Sequence, residues 1–292
     1  MFKKKNFQIN KKSRVIILGS GGFISSQVEK KLKKNKTSFI ALKRKKADLT
    51  KKNSKKLLKK IIKDNDSVLF IAARAPVKTK KMLNDNLKMA KITTSVLKQK
   101  KIRHFIYISS DAVYSDIKKP IREKSKTIPN SLHGIMHIKR ENIFKKILKN
   151  KICIIRPTLI FGKNDPHNGY GPNRFLRLAK KNKEIKLFGK GEERRDHIFL
   201  NDVSTVIVSC IKNCSIGTLN VVSGKVISFK NLAKMIIRYS GSSSKIINTI
   251  RIGKMPHNGY RPFNPYLLRK NFPKLLSYST NKVFRKFTKD SI

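Results

Sequence analysis

Residues 15–26 read Val-Ile-Ile-Leu-Gly-Ser-Gly-Gly-Phe-Ile-Ser-Ser. Four apolar residues run into a glycine turn and then into the start of a helix. Gly19 lets the chain turn sharply, and Gly22 has no side chain to stand in the way of an anion. A helix opening at Phe23 and Ile24 would offer bare amide hydrogens and a positive dipole end to a pyrophosphate. A second set of residues able to do chemistry is the pair His133 and His137, four apart. Imidazole, with an ordinary pKa of about 6.5, is mostly unprotonated at neutral pH and can accept a proton unaided. The same spacing could grip zinc, but no Glu lies between the two. His104, His167, His197 and His257 supply no obvious third ligand, so no metal is expected.

These residues need a scaffold, and the first half of the chain supplies a regular one. Strands are expected at Val15–Leu18, Ser38–Leu42, Ser67–Ala72, His104–Ser109 and Ile152–Arg156. Helices are expected between them at Phe23–Lys34, Ser54–Lys63, Met82–Lys98 and Leu132–Leu148. Such βα alternation predicts an α/β fold, a doubly wound parallel Rossmann sheet with ligands at the carboxyl ends of its strands. After Gly162 the texture changes. Lys163–Asn173 reads as a loop, followed by helices at Arg174–Lys181, Asp202–Lys212 and Phe229–Ser240. Short strands are expected there at Ile185–Phe188, His197–Leu200 and Leu219–Val222, with Ser228 as an N-cap. The expected organisation is a loose basic N-terminus over 1–13, a dinucleotide-binding domain over 14–165 and a smaller α/β substrate domain over 166–292. Part of 201–224 is open to returning to the first sheet.

Seventy Lys+Arg against 16 Asp+Glu give a formal net charge of +54. Such a balance suits a polyanion site. The lysines, however, are spread along the chain between apolar positions, as in Lys55-Lys56-Leu57-Leu58-Lys59-Lys60-Ile61-Ile62. That pattern is the solvent face of helices, so nucleic acid is the less favoured partner. Cys153, Cys210 and Cys214 are an odd set without metal-ligand spacing, suited to buried roles in a reducing compartment. With no apolar run of membrane-spanning or signal-peptide length, a soluble cytoplasmic protein is expected.

Taken together, these landmarks resemble the extended short-chain dehydrogenase/reductase family, the NAD-dependent epimerase/dehydratase group acting on nucleotide sugars, from about Val15 to Phe272. Gly19 and Gly22 match its GxxGxxG motif, with Ser25 in the third position. The resemblance places NAD or NADP against Gly19, Gly22, Phe23, Ile24, Asp48, Leu49, Ala72, Ala73 and Pro157. Lys43 and Arg44 stand where the family has a ribose-binding acid, which slightly favours NADP. Asp48 could instead cap the following helix. Ser110 and Asp111 fall on the catalytic Ser/Thr and the dehydratase Asp, although both could simply satisfy turn amides. The YxxxK motif is replaced by His133 and His137. His133 would be the base, and His137 is too short to reach both ribose hydroxyls as lysine does. Arg195 and Arg261 resemble the arginines that hold the substrate diphosphate, a task for their planar forks. Asn173 and Arg174 would line the substrate side, and Arg195–Asp196 could alternatively be a structural ion pair.

The resemblance implies epimerisation, dehydration or reduction of a nucleotide-linked sugar by a homodimer pairing through 82–98 and 132–148. Two rivals stay open: a catalytically impaired NAD(P)-binding sensor of the same fold, and a nucleic-acid-binding module. For the histidine pair, a working base, a site that only binds, and an incidental or metal-binding pair all remain.

Overall fold

The structure, a computed structural model, describes residues 2–5, 13–275 and 280–290. It divides into two compact units: residues 1–115, 123–157 and 203–220 form the first, and 116–122, 158–202 and 221–292 the second. The chain thus leaves the first unit at Pro157, eight residues before the boundary expected at 165, and 116–122 belong with the second unit.

In the first unit, β1 (Val15–Ser20), α1 (Phe23–Lys34), β2 (Phe39–Lys43), α2 (Asn53–Ile61) and β3 (Ser67–Phe70) follow one another. Next come α3 (Lys80–Leu97), β4 (His104–Ile108), α4 (Leu132–Leu148) and β5 (Ile152–Pro157). The strands lie in the order β2-β1-β3-β4-β5-β9, β9 being Gly217–Val221. The pairs β1–β2, β1–β3, β3–β4 and β4–β5 are parallel. Strands β3 and β4 are buried throughout, as burial on both faces demands of a near-continuous apolar run. Thr79 and Ser131 cap α3 and α4 by accepting the Met82 and Gly134 amides. The order reverses at β1, with β2 on one side and β3 on the other, and the glycine turn leaves the sheet at that switch point. Phe2 is buried and Lys3 pairs with Ile216. Those residues are therefore docked, not loose as expected of 1–13; residues 1 and 6–12 of that segment lie outside the described residues.

The second unit holds β6 (Leu159–Phe161), α5 (Pro172–Ala179), β7 (Ile185–Phe188) and β8 (Arg194–Phe199). The helix α6 (Leu200–Lys212) carries the chain back toward β9, and the unit resumes with β10 (Val226–Ser228), α7 (Phe229–Ser240) and β11 (Ile246–Thr249). It closes with β12 (Tyr260–Arg261), α8 (Tyr266–Asn271) and α9 (Thr280–Asp290). Strand β8 is the hub, pairing antiparallel with β10 and parallel with β6 and β12. An aromatic core of Phe161, Phe175, Phe229, Phe284 and Phe287 fills the unit with Leu176, Ile185, Leu232 and Ile236. Ser228 caps α7 as expected, accepting the Asn231 amide.

Candidate functional site

The glycine turn is built for close approach. Gly19 has φ +98°, and a Cβ there would lie 2.5 Å from the backbone N and Cα of Ala72. The ends of β1 and β3 therefore meet at the switch point with no room for a side chain. Gly22 is the N-cap of α1, and a Cβ on it would meet nothing nearer than 3.8 Å. Ser25, in the third motif position, is fully buried. Its hydroxyl accepts the Gly22 amide at 2.9 Å and donates to the Gly22 carbonyl at 3.1 Å. One turn amide is thereby occupied, while no hydrogen bond engages those of Phe23 and Ile24 among the described residues. The side-chain carbons of Lys43 run past Gly21, 3.6 Å from where its Cβ would be, and bring that ammonium to the turn.

A nicotinamide dinucleotide fits this cradle: small residues at 19, 22, 72 and 73, two free amides at a helix start, and an exposed Lys43–Arg44 pair. Asp48 does not cap α2, whose N-cap Lys52 makes no side-chain bond. Its carboxylate accepts the Thr50 amide (3.0 Å) and hydroxyl (2.6 Å), which hold its pKa below the usual range. It also lies 3.5 Å from Arg44. Leu49 is buried in the core with Leu42 and Leu58. Pro157 is buried at the end of β5.

Ser110 and Asp111 open a short 3-10 turn after β4. The Ser110 hydroxyl accepts the Ala112 amide at 3.1 Å and donates to Asp111 Oδ1 at 3.2 Å. Gly134 brings α4 onto this turn: a Cβ there would lie 2.1 Å from the Ala112 carbonyl oxygen. His133 is thereby placed where the Asp111 carboxylate favours its protonated form. Burial outweighs that and pushes its pKa below the ordinary value, helped by the charge of Arg140. Its Nδ1 receives the Val77 amide at 3.5 Å, the outer edge of a hydrogen bond, which turns Nε2 away from that backbone.

His137 does not extend this surface. It is buried, and its Nδ1 lies 2.7 Å from the Tyr107 hydroxyl. Burial, then the proximity of His133 and Arg140, push its pKa far down. Sequence reasoning missed the groups packed behind it. Glu141 is buried and accepts Arg156 Nε (2.8 Å), Arg156 Nη2 (2.5 Å) and Ser109 Oγ (2.6 Å). Burial alone would raise its pKa; those bonds carry it below the usual range. Arg156 also donates to Tyr114, whose hydroxyl donates to Asn220. One signal was available. Positions 137, 140, 141, 144 and 148 share the buried face of α4, so His, Arg and Glu at the first three stand where apolar residues belong.

In the second unit, Arg195 and Arg261 are directly paired across β8 and β12. Each has an acid: Arg195 Nη1 donates to Glu193 at 3.1 Å, and Arg261 Nη1 to Asp116 at 2.5 Å. His257 joins them, its Nδ1 2.5 Å from Asp116 and 2.9 Å from Arg261 Nη1. Burial and the two arginines hold the pKa of His257 down against Asp116. The alternative Arg195–Asp196 ion pair does not form, because neighbours on a strand face opposite ways. Asp196 instead accepts Thr158 Oγ1, Ser223 N, Ser223 Oγ and Gly224 N. Burial raises it to about 6 although those bonds pull the other way. Asn173 is buried and brackets both backbone groups of Gly162, so its amide shapes the loop. Arg174 is exposed on α5 beside a shallow depression lined by Asn182, Glu184 and Lys186. It is not brought to the Arg195–Arg261 pair by any shared strand or hydrogen bond.

Among the described residues no group of three or more His, Cys, Asp and Glu side chains is gathered so as to hold a metal ion. Among the described residues no helix is long and apolar enough to cross a membrane. Cys153, Cys210 and Cys214 are free and buried.

Residues 15–221 match the model of the NAD dependent epimerase/dehydratase family. The chain is 24% identical over 196 residues to a dTDP-D-glucose 4,6-dehydratase of Dictyostelium discoideum. That match takes in 60% of this chain but only 45% of the relative, so the chain spans less than half the length of that protein. Among solved structures, UDP-glucose 4-epimerase of Thermus thermophilus in complex with NAD superposes with a TM-score of 0.82 at 17% identity, covering 94% of this chain and 98% of that one. A GDP-L-fucose synthetase from Naegleria fowleri bound to NADP also gives 0.82, at 14% identity and with 99% and 95% covered. At these identities the likeness is one of fold.

Proposed function

This chain belongs to the NAD dependent epimerase/dehydratase family, and from that premise we propose that it binds a nicotinamide dinucleotide at the Gly19–Ile24 turn and acts on a nucleotide-linked sugar. The observation that supports the reading is the seat of Gly134 on the Ala112 carbonyl, which brings the start of α4, with His133, onto the turn that carries Asp111. Bound at the turn, a nicotinamide would supply hydride transfer. The chain supplies the rest. His133 is uncharged at neutral pH. While its Nδ1 accepts the Val77 amide, its proton sits on Nε2, which can donate to a substrate oxygen. It takes the hydroxyl proton as base only once that 3.5 Å contact is given up and the ring proton shifts to Nδ1. Ser110 shares a hydrogen bond with the reacting hydroxyl, and Asp111 is the acid for expelling water. Arg195 and Arg261 take the substrate diphosphate, whose oxygens replace Glu193 and Asp116 on the guanidinium forks.

Lys43 at the turn favours NADP over NAD, because a ribose phosphate adds charge that a cation can meet. The protein is further proposed to be cytoplasmic and to pair as a homodimer through α3 and α4, which light scattering in solution would read as twice the chain mass. The test of function is turnover of NAD and NADP, followed by nicotinamide absorbance, over a panel of nucleotide sugars. Turnover lost in His133→Phe supports the assignment; full activity in that variant removes His133 from the chemistry.

One observation favours a second reading, a dinucleotide-binding protein without turnover: His137 is buried on Tyr107 and unable to grip a ribose. Calorimetric binding of either dinucleotide without absorbance change on any substrate would select it. Retention of RNA at physiological salt would instead point to the polyanion role that the charge allows.

A further inference from the structure

Glu193 is a buried acid set between two arginines of the second unit. It immediately precedes β8, two residues ahead of Arg195 and so on the same side of the chain. Its two carboxylate oxygens face different partners. Oε1 accepts Arg195 Nη1 at 3.1 Å, whereas Oε2 lies 3.8 Å from Arg251 Nη1. The side chains of Glu193, Arg195 and Arg251 are 5%, 11% and 17% exposed, so the three charges meet where water screens them poorly. Arg251 comes from the segment after β11, and its Nη2 donates to the Phe188 carbonyl at 3.0 Å, tying it to the end of β7. Its Nε is buried and has no hydrogen-bond partner among the described residues; Glu192 Oε1 stands 3.9 Å away. Arg251 is thus seated with donors to spare: one N–H without a bond, and another aimed at Glu193 from just beyond bonding distance. A buried donor left in that condition is costly and calls for a reason.

The reason lies in what Arg195 has to do. A phosphate oxygen that takes the Arg195 guanidinium must displace the Glu193 carboxylate. That carboxylate would then sit buried, without its cation and beside a second anion, which is strongly unfavourable. Arg251 removes this obstacle. A shift of about 1 Å carries Glu193 Oε2 from 3.8 Å to the ordinary length of a charge-assisted hydrogen bond with Arg251 Nη1. The same layout recurs at the other arginine of the pair, where Asp116 Oδ1 lies 2.5 Å from both Arg261 Nη1 and His257 Nδ1.

We propose that Arg251 is a positioning residue for the anion seat: it takes Glu193 over when an incoming diphosphate claims Arg195. The proposal rests on the reading of Arg195 as a ligand of the substrate diphosphate. Before the exchange Glu193 neutralises Arg195, so that this guanidinium is not a lone buried cation. After it, the phosphate neutralises Arg195 and Glu193 neutralises Arg251. No charge is left bare at either stage, and no proton has to move. Arg251 does not touch the phosphate; its whole effect passes through Glu193. Removing Glu193 should therefore remove the need for Arg251.

Two thermodynamic cycles on the full chain test this. The first uses no ligand: denaturant unfolding is measured for Arg195→Gln, Arg251→Gln and the double variant. Each single variant leaves Glu193 one guanidinium and the double leaves it none. The folding constant of the double should therefore fall about tenfold or more below the product of the single losses. Losses that simply multiply overturn the proposal. Should the double variant not fold, Glu193→Gln is added to it; recovery of folding supports the proposal, and no recovery overturns it. The second cycle follows inorganic pyrophosphate by calorimetry at physiological salt, counting only the binding that Arg195→Gln removes. Arg251→Gln should weaken that binding about tenfold, but by less than about threefold once Glu193→Gln is also present. Equal weakening in both backgrounds, as direct contact with the phosphate would give, or no weakening at all, overturns the proposal. If Arg195→Gln removes no pyrophosphate binding, the diphosphate reading falls, and the ligand-free cycle alone decides the proposal.

Discussion

Replacing Gly134 by alanine tests the geometry on which the catalytic reading stands. Alanine is the better helix former by about 1 kcal/mol, so helix propensity alone predicts a gain in stability. The packing predicts the reverse. The new Cβ would fall 2.1 Å from the Ala112 carbonyl oxygen, 2.9 Å from its carbon and 2.6 Å from Pro129 Cβ. Ordinary contact starts near 3.4 Å. The obstacle is backbone, held by the Tyr114 amide closing onto the Asp111 carbonyl at 3.1 Å. The first turn of α4 must therefore retreat by roughly 1 Å, at a strain of about 1–3 kcal/mol, and it carries His133 away from Ser110 and Asp111. A misplacement of that size costs about 100-fold in rate. The glycine turn lies on another strand end and is untouched. The expected result is a variant with unchanged dinucleotide affinity by calorimetry, a net loss of up to about 2 kcal/mol in denaturant unfolding, and kcat/KM down by about two orders of magnitude. Gly169→Ala, with nothing within 4 Å of its Cβ, is the control and should leave turnover unchanged. A Gly134→Ala protein as active as the wild type would refute the claim that this contact places the base.

Glu141→Gln leaves the buried Arg156 guanidinium without its acid and should cost about 3–5 kcal/mol in denaturant unfolding. Because the folded pKa of Glu141 lies below the ordinary value, the stability it contributes is present above the unfolded pKa of about 4.3 and is lost as pH falls through the folded one; the wild type should show that loss on acidification, and the variant should lack it. Gly19→Ala meets both a positive φ and the Ala72 backbone at 2.5 Å; it should lower stability by about 2 kcal/mol or more and abolish dinucleotide binding, and a variant that still binds would show that the turn is not the anchor. Lys43→Glu should weaken NADP at least about tenfold relative to NAD, since a tenfold change is about 1.4 kcal/mol, within reach of one charge-assisted hydrogen bond. Equal loss of both dinucleotides would place Lys43 on the pyrophosphate instead.

The fold of the first unit was legible because its elements are long and strongly patterned. The helices Phe23–Lys34 and Leu132–Leu148 have the bounds that their sequence suggests, and the ends of the parallel strands differ by a few residues at most. In the second unit β6, β10, β11 and β12 were not legible. They run from two to four residues, too short for alternation to register, and their pairing with β8 or β7 joins segments tens of residues apart. Of the site, the glycine turn could be read because its demands are local. The seating of the start of α4, with His133, on the turn that carries Asp111 could not, since it depends on the absence of a side chain at Gly134 against a carbonyl 22 residues away. Arg140 looked like one more cation on a lysine-rich helix, and only its register with Phe144 and Leu148 marks it as inward-facing. Likewise the partner of Arg195 follows from strand alternation: Glu193, two residues back, shares its face, whereas Asp196 cannot.

The short N-terminal stretch settled on the first unit has a bearing on handling the molecule. Lys3 exchanges both backbone bonds with Ile216, at 3.0 and 2.9 Å, and the Lys5 amide donates to the Asn213 carbonyl. Ile216 leads directly into β9, the outermost strand of the six. Trimming those few residues would strip a cover from the margin of the sheet, where unpaired peptide groups invite another chain to add on. Purification tags therefore belong at the opposite terminus, and a shortened version should be watched for clumping before it is assayed.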